Sequence, residues 1–167
     1  MKRLMQEIGV TAHLGIMQQN EVVSLVNIET QRSVRTPSMV GRRSPLHCTS
    51  LGKVMLAYMP RPQVVQVLHG YCFVAYTNRT IRDESTFRTE LTKVQKLGFA
   101  LDDEEFETGL RCIGVPVHDH TGKVIAGLSI AGPLFRITTE LTPMLVQSVV
   151  HVAEDLCVTL GYNQDLH

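Results

Sequence analysis

The spacing of apolar residues predicts short β-strands at the start of the chain. Residues 11–17 and 21–28 have the composition of short β-strands and are joined by Gln18, Gln19 and Asn20, which is typical of a β-hairpin. Residues 30–45 are rich in Arg, Ser, Thr and Pro, so we expect the end of a strand followed by a long loop.

Helical spacing replaces this pattern after His47. Thr49 is a candidate N-cap for a stripe at positions i, i+3, i+4 and i+7, formed by Leu51, Val54, Met55 and Tyr58. A second short helix is predicted over residues 62–68. A third is predicted to begin after Asp83 and to end at Gly98, which has the residue type of a helix C′ position.

The last third of the chain predicts two strands and a covering helix. The strands are expected around residues 110–118 and 123–132. Thr142 and Pro143 have the chemistry of an N-cap and first helical residue. The apolar face predicted for this helix consists of Leu141, Leu145, Val149, Val152, Leu156 and Leu160. Strands, helices, then strands and a covering helix indicate an α+β fold with an antiparallel sheet.

The two late strands have faces of different character. One face of the pair is aliphatic, with Ile113, Val115, Val117, Val124, Ala126, Leu128 and Ile130. The opposite face is small and mildly polar, with Cys112, Gly114, Pro116, Gly127, Ser129 and Ala131.

A tight connection between these strands predicts their register. With a four-residue loop over 119–122, Gly114 lies across from Gly127. The same register places Cys112 across from Ser129. Facing glycines indicate either a concave ligand site or a tightly packed helix, and both interpretations remain open.

The charge of the chain is balanced overall but uneven along its length. The 167 residues carry 16 Lys and Arg against 16 Asp and Glu, so net charge gives no reason to expect binding to nucleic acid or an anionic membrane. Residues 30–82 contain no acid but eight basic residues, namely Arg32, Arg35, Arg42, Arg43, Lys53, Arg61, Arg79 and Arg82. The helix start after Thr49 lies inside this stretch. Its backbone N–H groups at Ser50 and Leu51 are therefore expected to bind an anion, away from competing carboxylates.

The composition also indicates the cellular compartment in which the protein is expected. No apolar run is long enough to span a bilayer, and the first residues lack a secretory signal, so we expect a cytoplasmic protein that does not bind membranes. The chain has four widely spaced cysteines without a C-x-x-C motif, Cys48, Cys72, Cys112 and Cys157. We expect reduced, mostly buried thiols and neither a disulfide framework nor a zinc ribbon.

Several separate motifs resemble one known family. They read HCTSLGKVMLA at 47–57, GF at 98–99, DDEE at 102–105, GLRCI at 109–113 and LSIAGP at 128–133. Their order and spacing resemble the effector-binding domain of the IclR family of bacterial transcription regulators. The resemblance covers nearly the whole chain.

The resemblance implies a GAF/PAS-like domain with a curved antiparallel sheet whose pocket binds a small carboxylic, keto or sugar acid. It implies regulation of transcription, more often as a repressor, with homodimers or homotetramers contacting operator DNA through a winged helix-turn-helix. That DNA-binding domain is not in this sequence. Residues 1–7 are interpreted as the end of a linker helix, and residues 8–167 as the effector-binding domain. No catalytic residue, cofactor or metal is expected.

Carried over by position, the family's ligand contacts fall on five residues, Ser50, Leu51, Asp102, Cys112 and Ser129. Four further candidates are Thr36, Ser44, Leu110 and Ala131. Ala131 stands where a second serine is usual in the family, which removes one hydrogen-bond donor from the expected site.

An enzyme with Cys112 as nucleophile is the alternative, since free-methionine sulfoxide reductases share the GAF-like architecture. That chemistry needs a nearby base. His118 is six strand residues away, or about 20 Å, and is too distant. His47 could act as the base only if the tertiary structure brings it next to Cys112.

Other polar clusters have simpler interpretations. The pairs His118 and His120, and His47 and Cys48, are weak metal motifs, since neighbouring strand residues diverge and turn histidines are usually solvated. Within residues 102–107 we expect Asp102 alone in the pocket and a solvated loop for the three glutamates, Glu104, Glu105 and Glu107. Arg42 and Arg43 are expected to be exposed loop residues.

Overall fold

One curved antiparallel sheet organises the chain. The computed structural model describes residues 10–28 and 40–162. The sheet has the strand order β3-β2-β1-β6-β5-β4. Its strands are β1 Thr11–Gln18, β2 Glu21–Ile28, β3 Arg43–Ser44, β4 Ala100–Asp103, β5 Leu110–His118 and β6 Val124–Pro133. All five pairings are antiparallel, which confirms the predicted α+β class and sheet type.

The helices begin and end largely where the sequence predicts. They are α1 Ser50–Ala57, α2 Arg61–Leu68, α3 Glu84–Leu97 and α4 Thr142–Thr159. The side chain of Thr49 caps α1 by accepting the Gly52 N–H at 3.2 Å, and Asp83 caps α3 by accepting the Thr86 N–H at 2.8 Å. Gly98 ends α3 with a left-handed φ of 80°. None of the described helices is both long and apolar enough to cross a membrane.

The start and the buried stripe of α4 differ from the prediction. Leu141 is the N-cap, and Thr142 is the first helical residue, whose hydroxyl donates to the Thr138 carbonyl at 2.8 Å. The buried stripe follows i, i+4 spacing along Leu145, Val149, Ala153 and Cys157. Leu141 and Leu160 are instead exposed. Side chains spaced four residues apart form a ridge along one side of a helix, and this is the side of α4 that packs on the sheet.

The sheet is covered on both faces, so the fold has two cores. On one face, α4 packs against β5 and β6, where Val115, Leu128 and Ile130 are buried. On the other, α1 lies between the sheet and α3, and the buried side chains include Val54, Leu56, Phe87 and Val94. Burial of apolar area in these two layers supplies most of the stabilisation.

The predicted register of β5 and β6 is wrong by two residues. Cys112 pairs with Ala131, and Gly114 pairs with Ser129. The connection is one residue longer than expected, because His118 pairs with Val124 instead of Lys123. A bulge at Ile125 then absorbs one more residue. Because the resulting shift is even, most side chains keep their predicted face.

Two local consequences of this register were also missed. Val124, which precedes the bulge, packs against the α1 core and does not share the aliphatic face predicted for it. Strand β4 was not predicted at all. It pairs Asp102 with Cys112. The first residues of the acidic segment, which the sequence predicts to be a loop, therefore belong to the edge strand of the sheet.

The small residues of β5 and β6 are explained by close packing of α1. A Cβ added to Gly114 would lie 2.9 Å from the Ser50 backbone, and one added to Gly127 would lie 2.9 Å from Leu51 Cδ2. The structure therefore favours the helix-packing interpretation for the glycines themselves.

Candidate functional site

A cavity of about 120 Å³ lies between the start of α1 and the sheet. It is called the α1 cavity here. It is lined by all five principal candidates from the sequence, namely Ser50, Leu51, Asp102, Cys112 and Ser129. Three of the four further candidates, Ser44, Leu110 and Ala131, line it as well. Thr36 falls outside the described residues.

The N-terminus of α1 forms one wall of the α1 cavity. Thr49 accepts the Gly52 N–H through its hydroxyl and the Lys53 N–H through its carbonyl at 3.0 Å. The N–H groups of Ser50 and Leu51 precede this first intrahelical bond and carry the partial positive charge of the helix start. This wall therefore favours an anionic group.

Asp102 supplies a carboxyl group to the opposite side of the cavity. Its Oδ1 accepts the N–H groups of Glu105 at 2.9 Å and Phe106 at 3.3 Å, which holds the carboxyl in place. Burial, with a smaller contribution from the charge of Glu105, raises the pKa of Asp102 to about 7. Asp102 is thus partly protonated near neutral pH, and its protonated form can donate a hydrogen bond to a carboxylate.

Cys112 is a neutral thiol in the cavity wall. The residue is only half-buried, yet withdrawal of its thiol from water, together with the Asp102 charge, raises its pKa well above the ordinary value. Since the thiolate is the nucleophilic form, Cys112 acts here as a polar, weakly hydrogen-bonding surface.

Neither histidine considered as a base serves Cys112. His47 is fully buried, with Nδ1 hydrogen-bonded to the Tyr71 hydroxyl and Nε2 to the Val74 carbonyl, both at 3.0 Å. The ring of His118 stacks on Tyr162 at a centroid distance of 5.0 Å, in a groove beside α4. Within the described residues, no three His, Cys, Asp or Glu side chains converge as metal ligands.

The acidic segment after β4 is not the solvated loop that the sequence predicts. Glu105 is 8% exposed, and its Oε1 lies 2.5 Å from Lys53 Nζ. Lys53 is fully buried on α1 and also approaches Glu90 at 3.5 Å. Glu104 is half-buried, and its side chain accepts the Gly109 N–H at 2.8 Å. Only Glu107 is exposed, at the edge of the α1 cavity.

The expectation that the N–H groups at the start of α1 lie away from carboxylates is therefore wrong in the folded protein. The stretch 30–82 contains no acid in sequence, but the fold brings Asp102 and Glu107 to the same cavity. One of its basic residues, Arg42, is exposed as predicted and lies at the cavity edge, with its guanidinium 5.8 Å from the centre of the Phe106 ring.

Strands β1 and β2 contribute polar residues that the sequence did not single out. His13, Ser24 and Asn27 all line the α1 cavity. His13 Nδ1 is hydrogen-bonded to Asn27 Oδ1, and burial lowers the pKa of His13. No motif marks these residues, because their common orientation depends on how β1 and β2 pair.

Similarity to known proteins agrees with this architecture. KdgR of Escherichia coli, described as an HTH-type transcriptional regulator, is 39% identical over 153 residues, which cover 92% of this chain and 58% of KdgR. The transcriptional repressor IclR of Escherichia coli is 30% identical over 164 residues, covering 97% of this chain and 59% of that protein. The chain thus spans about three fifths of the length of these relatives.

Solved structures show the same fold. The crystal structure of the KdgR C-terminal domain superposes with a TM-score of 0.88 at 38% identity and covers 97% of this chain and 94% of that one. A double mutant of the inducer-binding domain of PobR from Acinetobacter, solved in complex with 3-hydroxybenzoic acid, gives a TM-score of 0.84 at 28% identity, with coverage of 92% of this chain and 91% of that one.

A family profile covers most of the sequence. Residues 1–158 match the profile described as "Bacterial transcriptional regulator IclR C-terminal". The family and these relatives are transcriptional regulators, and nothing in the similarity supports the sulfoxide reductase alternative. Because this profile and the curated relatives match over most of its length, the chain belongs to the IclR family of transcriptional regulators and corresponds to its C-terminal, effector-binding domain.

Proposed function

We propose that this chain senses a small carboxylic, keto or sugar acid, which binds in the α1 cavity. The observation that carries the proposal is the convergence of the α1 N-terminus, Asp102, Cys112 and Ser129 on one cavity. The carboxylate of the effector accepts the N–H groups of Ser50 and Leu51, as anions do at helix starts. The thiol of Cys112 and the hydroxyl of Ser129 complete the wall.

The protonation of Asp102 supports an acidic effector. A charged carboxylate at this position would repel a bound carboxylate, whereas the protonated carboxyl donates a hydrogen bond to it. Burial raises the pKa of Asp102 to about 7, which makes this form accessible near neutral pH. The ligand in the PobR complex, 3-hydroxybenzoic acid, belongs to the same chemical class.

In the full-length protein, effector binding is proposed to change the affinity for operator DNA. The chain would act within a homodimer or homotetramer, with DNA contacts made by a winged helix-turn-helix outside this sequence. Several relatives are named as repressors, which supports repression as the direction of control. Couplings between an effector site and a distant site typically amount to about 1–3 kcal/mol.

Calorimetric titration of the 167-residue chain with a panel of small keto, hydroxy and sugar acids tests the site. At least one acid is expected to bind. Ser129→Leu, which fills the cavity, and Asp102→Ala, which removes the hydrogen-bonding carboxyl, should each weaken its binding about tenfold or more. Ser148→Ala on α4 is the control, since its hydroxyl donates to the Met144 carbonyl of its own helix and the residue is not among those that line the α1 cavity. Absence of any binding, or unchanged affinity in both cavity variants, would contradict the proposal.

A further inference from the structure

A β-bulge in β2 directs two polar side chains into the α1 cavity. His13 of β1 pairs with Asn27, whereas Gly15 pairs with Ser24, so Leu25 is an extra residue on β2. Residues directly opposite one another share a face of the sheet. Since His13 and Gly15 share a face, Ser24 and Asn27 do so too, although a regular strand would place them on opposite faces.

The shared face is the one that borders the cavity. His13 also pairs with Ser129 on its other side, and Ser129 lies in the cavity wall. Backbone bonds hold this part of β2, because Ser24 donates its N–H to the Arg42 carbonyl at 3.1 Å and its carbonyl accepts the Gly41 N–H at 2.8 Å. Bulges commonly redirect side chains beside binding sites, and this one does so for two residues at once.

The polar atoms on this face offer both donors and acceptors. His13 is half-buried, and withdrawal of its ring from water lowers its pKa, which favours the neutral ring near pH 7. With its Nδ1 proton donated to the Asn27 carbonyl oxygen, its Nε2 is a hydrogen-bond acceptor, while the Asn27 amide nitrogen is a donor. The Ser24 hydroxyl is withdrawn from solvent and has no hydrogen-bond partner among the described residues. A buried hydroxyl of this kind is normally paired, so it marks a place for a ligand atom.

We propose that His13, Ser24 and Asn27 form a second polar subsite that binds hydroxyl groups of the effector. The effector is then a hydroxylated carboxylic acid, with its carboxylate at the α1 N-terminus and its hydroxyl-bearing carbons against β1 and β2. The inference rests on the proposed function, because it requires the carboxylate end to bind at Ser50 and Leu51.

The chemistry of the subsite favours hydroxyl groups over a second carboxylate. A carboxylate accepts hydrogen bonds only, and it would face the unprotonated nitrogen of His13. A hydroxyl group both donates and accepts, which matches the mixed set of groups present. Arg42 is the cation at this end, but its side chain is exposed and lies over Phe106, so solvent screens its charge.

Matched acids test the inference by calorimetry on the whole chain. The probes are erythronate and gluconate, their unhydroxylated counterparts butanoate and hexanoate, and the dicarboxylates succinate and adipate. At least one hydroxylated acid is expected to bind about tenfold or more tightly than its unhydroxylated counterpart, because unpaired polar groups in a site discriminate strongly.

Variants assign this preference to the subsite. Ser24→Ala, which removes one hydroxyl, and Asn27→Leu, which removes the amide, should each reduce the preference at least threefold, whereas Ser148→Ala on α4 should keep it. Circular dichroism checks that Asn27→Leu is folded, and Ser24→Ala provides the test if it is not.

The outcomes separate the two proposals. Equal binding of hydroxylated and unhydroxylated acids, or a preference that both variants retain, overturns the subsite and leaves the proposed function standing. Tighter binding of the dicarboxylates also overturns it, in favour of a second anion site at Arg42. If none of the acids binds the unmodified chain, the proposed function fails together with the subsite.

Discussion

Asp102 carries the electrostatic character of the α1 cavity. It lies at the end of β4, directly opposite Cys112, and its carboxyl is fixed by the backbone N–H groups of Glu105 and Phe106. Those hydrogen bonds and Lys53 favour the charged form, but burial outweighs them and raises the pKa of Asp102 to about 7. One side chain therefore links the pH to the charge of the cavity.

Asp102→Asn should change how stability depends on pH. The folded-state pKa of Asp102 is about 7, against 3.8 without the protein environment. Between these values the folded state binds the extra proton, so the contribution of Asp102 to the free energy of unfolding falls as the pH rises from about 4 to about 7. Asparagine keeps a side-chain oxygen that accepts the N–H groups of Glu105 and Phe106, but it carries no titratable proton. The substitution therefore removes the loss of stability at higher pH. The variant should be more stable than the parent at about pH 8, by on the order of 1–3 kcal/mol.

Urea unfolding at about pH 4, 6 and 8 measures this difference. Glu154→Gln, at an exposed carboxylate on α4, is the control and should leave the pH profile unchanged. Parallel profiles for Asp102→Asn and the parent would show that Asp102 does not titrate between these pH values.

At the scale of elements, α1 is positioned by close backbone contacts. Its first turn crosses β5 at Gly114 and β6 at Gly127, and its third residue, Gly52, packs on the chain before the helix. Lys53 on the same helix forms a buried ion pair with Glu105 after β4. Separating the two side chains would leave a buried charge without its partner, which is energetically costly. The ion pair therefore keeps α1 at a fixed distance from the segment after β4, and both elements border the cavity.

Gly52→Ala and Gly127→Ala should differ in stability although both add one methyl group. At Gly52 the new Cβ would lie 2.3 Å from the Leu46 carbonyl oxygen, which is backbone and cannot move freely. At Gly127 it would lie 2.9 Å from Leu51 Cδ2, a flexible side-chain end. We expect Gly52→Ala to lower the free energy of unfolding by about 3 kcal/mol and Gly127→Ala by about 1 kcal/mol.

Thermal or urea unfolding of the two variants checks this order. Helix propensity alone favours alanine over glycine in α1 by about 1 kcal/mol. A Gly52→Ala variant as stable as the parent would therefore show that the Leu46 segment relaxes and that the contact does not position α1.

At the scale of the whole molecule, the sheet separates the α1 cavity from the core beneath α4, which is called the α4 core. The α4 core contains fully buried residues such as Val149 and Leu145 and lies on the opposite face of the sheet from α1. The α1 core and the cavity share residues such as Leu51 and Val22. Stability and effector binding should therefore respond differently to substitutions in the two layers.

Val149→Ala should destabilise the fold without changing the cavity. The substitution removes two methyl groups from a fully buried position, which costs about 2 kcal/mol. The dissociation constant of an acid that binds the parent chain should stay within about twofold. Leu51→Ala is the comparison, since it should weaken both stability and binding. The same calorimetric and urea measurements apply, and a tenfold loss of binding in Val149→Ala would show that the two layers are coupled.

Local chemistry let the sequence determine much of this protein. Caps at Thr49 and Asp83, and the C′ glycine at Gly98, depend on hydrogen bonds and backbone angles within a few residues, and the structure contains all three. The alternation along β5 and β6 likewise depends only on strand geometry. Together with the family motifs, these features predicted the α+β class and eight described residues that line the cavity.

Only the tertiary structure decided how these pieces meet. The register of β5 and β6 depends on a long connection and a bulge, and the extra residue at Leu25 depends on pairing across β1 and β2. The Lys53–Glu105 pair joins residues 52 positions apart. Such features depend on many contacts between residues that are far apart in sequence. The identity of any single residue gives little information about which distant residue it will contact. Sequence therefore predicted many of the residues that line the cavity, while long-range packing determined its charge and brought the polar side chains of β1 and β2 to it.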